Sequence, residues 1–178
     1  MNLSPFIQRF RERFAEVEAQ LSAPDAFAQP QRGQELTREH ARLRDLVSAT
    51  PTDSELSPEL LCLAQAVYFE ARGEELRGQL AVARVVINRA TSGQFPDDYC
   101  SVVRQRGQFS FVRGGQIPAP DASSTAWRNA VAIARIAHQD LWVSAAGDAL
   151  YFHAARVHPQ WASNRGAVTR IDSHIFYR

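Results

Sequence analysis

Between Glu59 and Glu70 runs the longest uncharged apolar stretch of the chain, Leu60 to Phe69. It falls far short of the roughly 18 to 20 residues that cross a bilayer, so it predicts a core helix and no transmembrane segment. Ser57-Pro58-Glu59 supplies a helix start: a capping hydroxyl, a proline at the first helical position and an acid in the first turn. The helix is expected to reach Arg72, with Gly73 as a left-handed stop. A second helix restarts over Glu75 to Ala90, with Leu76, Leu80, Val82, Ala83, Val86 and Ile87 largely on one side. These two helices are expected to form the core of a soluble protein, and 178 residues, 45% hydrophobic, allow one or two small domains.

Around this pair the patterning changes twice. Gly93 and Pro96 mark a turn, and the segment through Tyr99–Val103 and Arg106–Gly115 reads as loop with a short strand. Ser123-Ser124 caps a further helix to about Gln139, in which Trp127 is assigned to packing. Leu150–His153 and Val168–Tyr177 favour β structure, so residues 57–178 read as a helical lobe followed by a small sheet, an α+β arrangement. Upstream, Phe6, Phe10, Phe14, Val17 and Leu21 draw one apolar seam, and Leu36, Leu43, Leu46 and Val47 resume it after Pro24, Asp25 and Pro30. This predicts a helical hairpin over residues 1–50, a linker at 51–56 and a second domain at 57–178.

Charge removes several function classes. The formal net charge is +1, and the seven arginines and seven acids of residues 1–50 cancel, so no basic field gathers nucleic acid and no nucleic-acid partner is expected. All 20 basic residues are arginine, which excludes a P-loop lysine, a Schiff base and a Ser-Lys dyad. Cys62 and Cys100 are too few for a structural zinc site; one bridge and two buried thiols both remain open. His153 and His158 lack an evident third ligand, and neither a metal nor another cofactor is expected. The start of the chain meets charge from Arg9 onward without the basic and apolar regions of an export signal, and reads as cytoplasmic.

Chemistry points to Glu70. Val67, Ala66 and Leu63 precede it by three, four and seven positions, so the carboxyl ends an apolar helical stripe. Burial and the negative end of the helix dipole both disfavour its charged form, which is how a general acid for glycosidic bonds is made. The plainer alternative is a surface glutamate paired with Arg72.

The segment Leu61-Cys62-Leu63-Ala64-Gln65-Ala66-Val67-Tyr68-Phe69-Glu70-Ala71-Arg72-Gly73-Glu74 resembles the opening signature of the SleB/CwlJ cell wall hydrolases. Gly78–Ala83, Val86–Arg89, Phe95-Pro96, Gln108-Phe109-Ser110, Ala149–His153, Thr169–Ile171 and His174–Arg178 resemble further blocks in family order. The resemblance implies a lysozyme-like transglycosylase fold, peptidoglycan as the partner substrate, cleavage between N-acetylmuramic acid and N-acetylglucosamine, and Glu70 as the catalytic glutamate. Gln108, Ser110, Tyr151, His153 and His174 are candidate groove-lining residues. A lytic transglycosylase needs one glutamate, whereas a two-carboxylate hydrolase needs a second acid. Glu74, Asp148 and Asp172 are the candidates, with Glu74 expected to cap the following helix and the aspartates expected in turns.

Arg13–Ser22 and Leu36–Leu43 resemble the amino-terminal helical domain of class I peptide chain release factors. Gly114-Gly115-Gln116 matches that family's tripeptide, but Ile117-Pro118 follow it and it falls within the hydrolase stretch. It is read as coincidence, and the hairpin as a module that packs on the second domain or on a partner helix. The function implies the periplasm or cell wall, at odds with the start of the chain. The competing reading is a non-catalytic glycan-binding or ribosome-associated adaptor.

Overall fold

The computed structural model describes residues 4–23, 26, 28–48 and 56–178, the side chains of 4–7 and 45–48 excepted. The chain divides into two compact units, residues 2–53 and 54–178.

In the first unit, α1 (Ser4–Leu21) packs against α2 (Pro30–Ser48). Val17, Leu36 and Leu43 are buried along the seam expected for them. Arg13 donates to both carboxylate oxygens of Glu39, at 2.8 and 3.1 Å, and also to Glu16. Phe14 stacks on His40 with ring centroids 4.8 Å apart. The side chains at seam positions Phe6, Leu46 and Val47, and the expected linker up to Glu55, fall outside what the structure describes.

The second unit is organised by α3 (Pro58–Ala71), which packs on α4 (Leu76–Thr91), α5 (Tyr99–Arg104) and α6 (Thr125–His138). Ser57 caps α3 through the Leu60 amide and Pro58 opens the helix. Leu63, Ala64, Ala66 and Val67 have no exposed surface, as a helix in contact with three others requires. Its end differs from expectation. Gly73 does not adopt the left-handed conformation; Arg72 stays right-handed and the Glu74 amide donates to the Ala71 carbonyl at 2.9 Å, closing a tightened last turn.

Tyr99–Val103, expected within a loop with a short strand, belongs instead to α5. Asp98 caps that helix by accepting from the Ser101 amide at 2.7 Å, and a disulfide joins Cys100 to Cys62 of α3 across a Cα separation of 5.1 Å. Cap and cross-link outweigh the β preference of a tyrosine and two valines. In the following stretch the expected strand is reduced to an isolated antiparallel bridge between Arg113 and Gln116. Gly114 and Gly115 both have positive φ, 58° and 76°, the backbone that a tight two-residue turn demands.

The sheet follows as β1 (Tyr151–Ala154), β2 (Ala167–Ile171) and β3 (His174–Tyr177), antiparallel throughout in the order β1-β3-β2. Phe176, fully buried, packs with Ile171, Ala81, Val85, Ala146 and Ala149, which fastens the sheet to α4. The β2–β3 turn makes the second attachment. Asp172, at φ 50°, accepts from the Glu75 amide at 3.2 Å and from Arg77 Nε at 3.1 Å. Gly78 permits this approach, since a Cβ there would stand 2.5 Å from Asp172 Oδ2.

Candidate active site

Glu70 sits in the last turn of α3, half-buried. Desolvation raises its carboxyl pKa above the ordinary value, and a hydrogen bond from the Ser110 backbone amide pulls the other way without cancelling it. The residues flanking Glu70 and Ser110 join an aromatic cluster: Phe69 stacks on Phe111 at 4.9 Å, and Phe109 lies 5.6 Å from Phe111 and 6.3 Å from Phe152. Arg72, the alternative partner of Glu70, instead places its guanidinium 5.0 Å from the Tyr68 ring centre. The chemical capacity of this corner is that of a carboxyl group whose neutral form is favoured by desolvation and whose anion accepts one backbone N–H bond.

The three possible second acids are all engaged elsewhere. Glu74 accepts from the Ser173 hydroxyl and, at 3.0 Å, from the Ser173 amide. Desolvation alone would raise its pKa, but these bonds and the neighbouring His174 lower it on balance. Glu74 is therefore structural, yet it holds the β2–β3 turn rather than capping α4, whose cap residue Glu75 makes no side-chain capping bond. Asp172 is bound to the first turn of α4, and Asp148 accepts from Arg178 Nε at 2.7 Å.

The residues expected to line a groove fall into distinct settings. Ser110 reaches Glu70 through its backbone, and its side chain is exposed, as is Gln108 two residues earlier. Tyr151 is half-buried on β1. His153 is buried, with Nε2 2.9 Å from the Tyr177 hydroxyl and Nδ1 3.0 Å from the Ala154 carbonyl, so both ring nitrogens have partners inside the protein. His174 is buried too; desolvation lowers its pKa despite Glu74 4.0 Å away, and its Nδ1 has no hydrogen bond among the described residues. Both histidines thus occupy the body of the sheet.

Around Tyr151 and His153, both groove candidates from the sequence, Trp161 and Arg165 complete a second aromatic group that spacing along the chain does not assemble. Trp161, 36% exposed, lies 5.9 Å from Tyr151 and 5.5 Å from both His153 and Tyr177, and Arg165 stacks 3.4 Å above the Tyr151 ring centre. The available signal was Trp161 and Arg165 standing four residues apart after a proline. Beneath this group Arg89 is buried, its Nε donating to the Leu150 carbonyl at 2.6 Å and its guanidinium facing the rings of Phe95, Phe109 and Tyr151. Desolvation pushes its pKa down to about 10. Arg89 braces the start of β1 against α4 and the loop that carries Ser110.

Residues 73–177 match the family model described as Cell Wall Hydrolase. The chain belongs to the cell wall hydrolase family. Glu70 stands three residues ahead of the matched stretch. The chain is 39% identical over 119 residues to a spore cortex-lytic enzyme of Halalkalibacterium halodurans, covering 66% of this chain and 34% of that protein. It is 35% identical over 136 residues to the spore cortex-lytic enzyme of Bacillus subtilis, covering 76% and 43%. It thus spans well under half the length of these curated relatives. Among solved structures, the catalytic domain of the germination-specific lytic transglycosylase SleB from Bacillus anthracis superposes with a TM-score of 0.57 at 32% identity, covering 72% of this chain and 100% of that one. The SleB catalytic domain of Bacillus cereus gives 0.56 at 32%, covering 73% and 96%. The expected α+β, lysozyme-like fold is therefore the fold of this family member.

Proposed function

We propose that the second unit, from about residue 57 to 178, cleaves peptidoglycan glycan strands between N-acetylmuramic acid and N-acetylglucosamine by lytic transglycosylation, with Glu70 acting first as acid and then as base. The observation that carries this reading is the half-buried Glu70, its pKa raised by desolvation and its carboxylate bonded by the Ser110 amide, while Glu74, Asp148 and Asp172 accept hydrogen bonds elsewhere. Protonated Glu70 gives its proton to the glycosidic oxygen as the C1–O bond breaks, and the departing sugar leaves as an alcohol. The resulting carboxylate takes the proton of the muramyl 6-hydroxyl, whose oxygen closes on C1 to form a 1,6-anhydro ring. No water is consumed and Glu70 ends protonated. The Ser110 amide steadies the carboxylate between the two transfers. The structural neighbour from Bacillus anthracis is itself described as a lytic transglycosylase, which supports the same chemistry here.

Digestion of purified sacculi followed by mass spectrometry tests the reading. The expected products end in anhydromuramic acid, and Glu70→Gln keeps glycan binding while losing turnover by at least about a hundredfold. Products with reducing ends would replace transglycosylation with hydrolysis, and an active Glu70→Gln variant would remove Glu70 from the chemistry.

A further inference from the structure

Ser110 owes its place beside Glu70 to side chains, because the backbone bonds of its segment close on themselves. Gln108 donates to the Gln105 carbonyl, Val112 to that of Phe109, and Arg113 and Gln116 bond each other. Among the described residues, no backbone–backbone bond ties residues 106–117 to another element. Two rings on either side of Ser110 do the anchoring. Phe111 stacks on Phe69 of α3, and Phe109, buried, faces the guanidinium of Arg89 at 5.8 Å, with Phe152 6.3 Å away. The N–H that bonds Glu70 belongs to the peptide unit joining Phe109 to Ser110, a rigid plane that starts at the Phe109 Cα. Whatever fixes Phe109 therefore aims that N–H.

Arg89 stands in the last turn of α4, buried, with Nε donating to the Leu150 carbonyl at 2.6 Å. Its Nη1 has no hydrogen-bond partner among the described residues, and the groups whose charge acts on it are Tyr151 and Arg165, with no carboxylate among them. Three rings from three separate segments meet the guanidinium instead: Phe95 at 5.0 Å, Tyr151 at 5.7 Å and Phe109 at 5.8 Å. A planar cation oriented by one short directional bond gives those rings a fixed surface to settle against. A buried charge without a counter-ion is costly and a methionine would fill similar space, so packing alone does not account for an arginine here.

We propose that Arg89 is a positioning residue for the acid: by holding the Phe109 ring it orients the Phe109–Ser110 peptide so that its N–H meets the Glu70 carboxylate. The proposal rests on the reading of Glu70 given above and brings a residue of a second helix into its machinery. Arg89 acts here by contact and not by its charge, since the influences on Glu70 are burial and the Ser110 amide, with no charged side chain among them.

The test follows the Glu70 carboxyl itself, by carbon-13 NMR titration of the full chain, with the resonance assigned by its absence from Glu70→Gln. The pH profile of sacculus cleavage is recorded beside it. Arg89→Met removes the cation and keeps an apolar side chain, whereas Phe109→Leu keeps the cation and removes the ring. In both, the Glu70 titration and the limb of the profile that Glu70 sets should move to higher pH by about one unit, the lower end of what a hydrogen bond to a charged group contributes. Phe95→Leu takes another ring from the same guanidinium, on a segment that does not carry Ser110, and should leave the titration in place. An unmoved Glu70 titration in either folded variant, or an equal movement in Phe95→Leu, would overturn the proposal, the latter by assigning the effect to general loosening. Should Arg89→Met fail to fold, Phe109→Leu decides. If the wild-type chain leaves sacculi intact, the glycosidic reading fails, and the NMR titration still decides the part played by Arg89.

Discussion

Gly78→Ala perturbs the attachment of the small sheet to the helical lobe at a single atom. In an unobstructed helix this change would stabilise by about 1 kcal/mol through backbone preference. Here the new methyl would stand 2.5 Å from Asp172 Oδ2 and 3.0 Å from Glu74 Cβ. The carboxylate cannot withdraw freely, since it holds the Glu75 amide and Arg77. Forcing it out removes a hydrogen bond of about 1 kcal/mol and weakens an exposed ion pair of up to about 1 kcal/mol, and residual overpacking adds about 1 to 3 kcal/mol. Net of the helix gain, Gly78→Ala should destabilise by about 1 to 4 kcal/mol. Asp172→Gly removes the obstructing carboxylate while suiting the positive φ at that position, and should cost about 1 kcal/mol. The double variant should then be close to Asp172→Gly alone, because the methyl no longer meets an oxygen and only the tight approach to Glu74 opposes the helix gain. Urea unfolding of all four proteins measures the coupling, expected at about 2 kcal/mol. Additivity within about 0.5 kcal/mol would refute the claim that the glycine exists to admit the aspartate.

Replacing both Cys62 and Cys100 by serine releases a cross-link of sequence separation 38, for which the loop-entropy relation gives a loss of about 4 kcal/mol; a change below about 1 kcal/mol in urea unfolding would contradict a formed disulfide. The same bond predicts no reactive thiol in the native chain by thiol titration, since the protein has no other cysteine. Glu70 should also make stability depend on pH. Its folded pKa is raised, so its favourable contribution is complete below the unfolded value of 4.5 and is lost as pH rises through the folded value. Glu70→Gln should therefore gain stability relative to wild type over that interval, as read by thermal unfolding across pH, and a difference that does not vary with pH would contradict the burial argument. His153 bonds Tyr177 in the buried sheet, so Tyr177→Phe should cost about 1 to 2 kcal/mol in urea unfolding, and a neutral result would deny that bond a structural part.

The main elements were legible where local chemistry and long-range packing agreed. Ser57-Pro58-Glu59 and Ser124 announced α3 and α6, and alternation in the last thirty residues announced a sheet. The helix ends where expected, but without the left-handed turn at Gly73, and the chain beyond it is held by a distant bond from Ser173 to Glu74, 99 residues away. Tyr99–Val103 was misread, since a strand-favouring composition gave way to an aspartate cap and a covalent tie to α3. At the site, helical spacing put Glu70 at the end of an apolar stripe but left a surface glutamate equally open, and only the resemblance to the cell wall hydrolases singled it out. The Ser110 amide, the Arg165–Tyr151–Trp161 group and the burial of both histidines depend on how separate segments meet, which spacing along the chain does not encode.

The two opposing influences on Glu70 bear directly on the proposed cycle. A carboxyl shifted upward by burial alone would donate well but would be a costly anion, and the second transfer requires that anion to persist until the 6-hydroxyl proton arrives. A carboxylate held by several donors would have the opposite defect, ionised at working pH with no proton to give. Burial in the aromatic corner together with a single backbone amide places Glu70 between these limits. Because the donor is an amide of the 108–117 loop, side-chain replacement of Ser110 should leave the balance intact, whereas a substitution that moves this loop should not. Ser110→Ala is thus expected to keep the wild-type pH profile of sacculus cleavage, and Ser110→Pro, which deletes the N–H, to shift the limb set by Glu70 to higher pH. An altered profile in Ser110→Ala would assign the effect to the hydroxyl and remove the backbone amide from the argument.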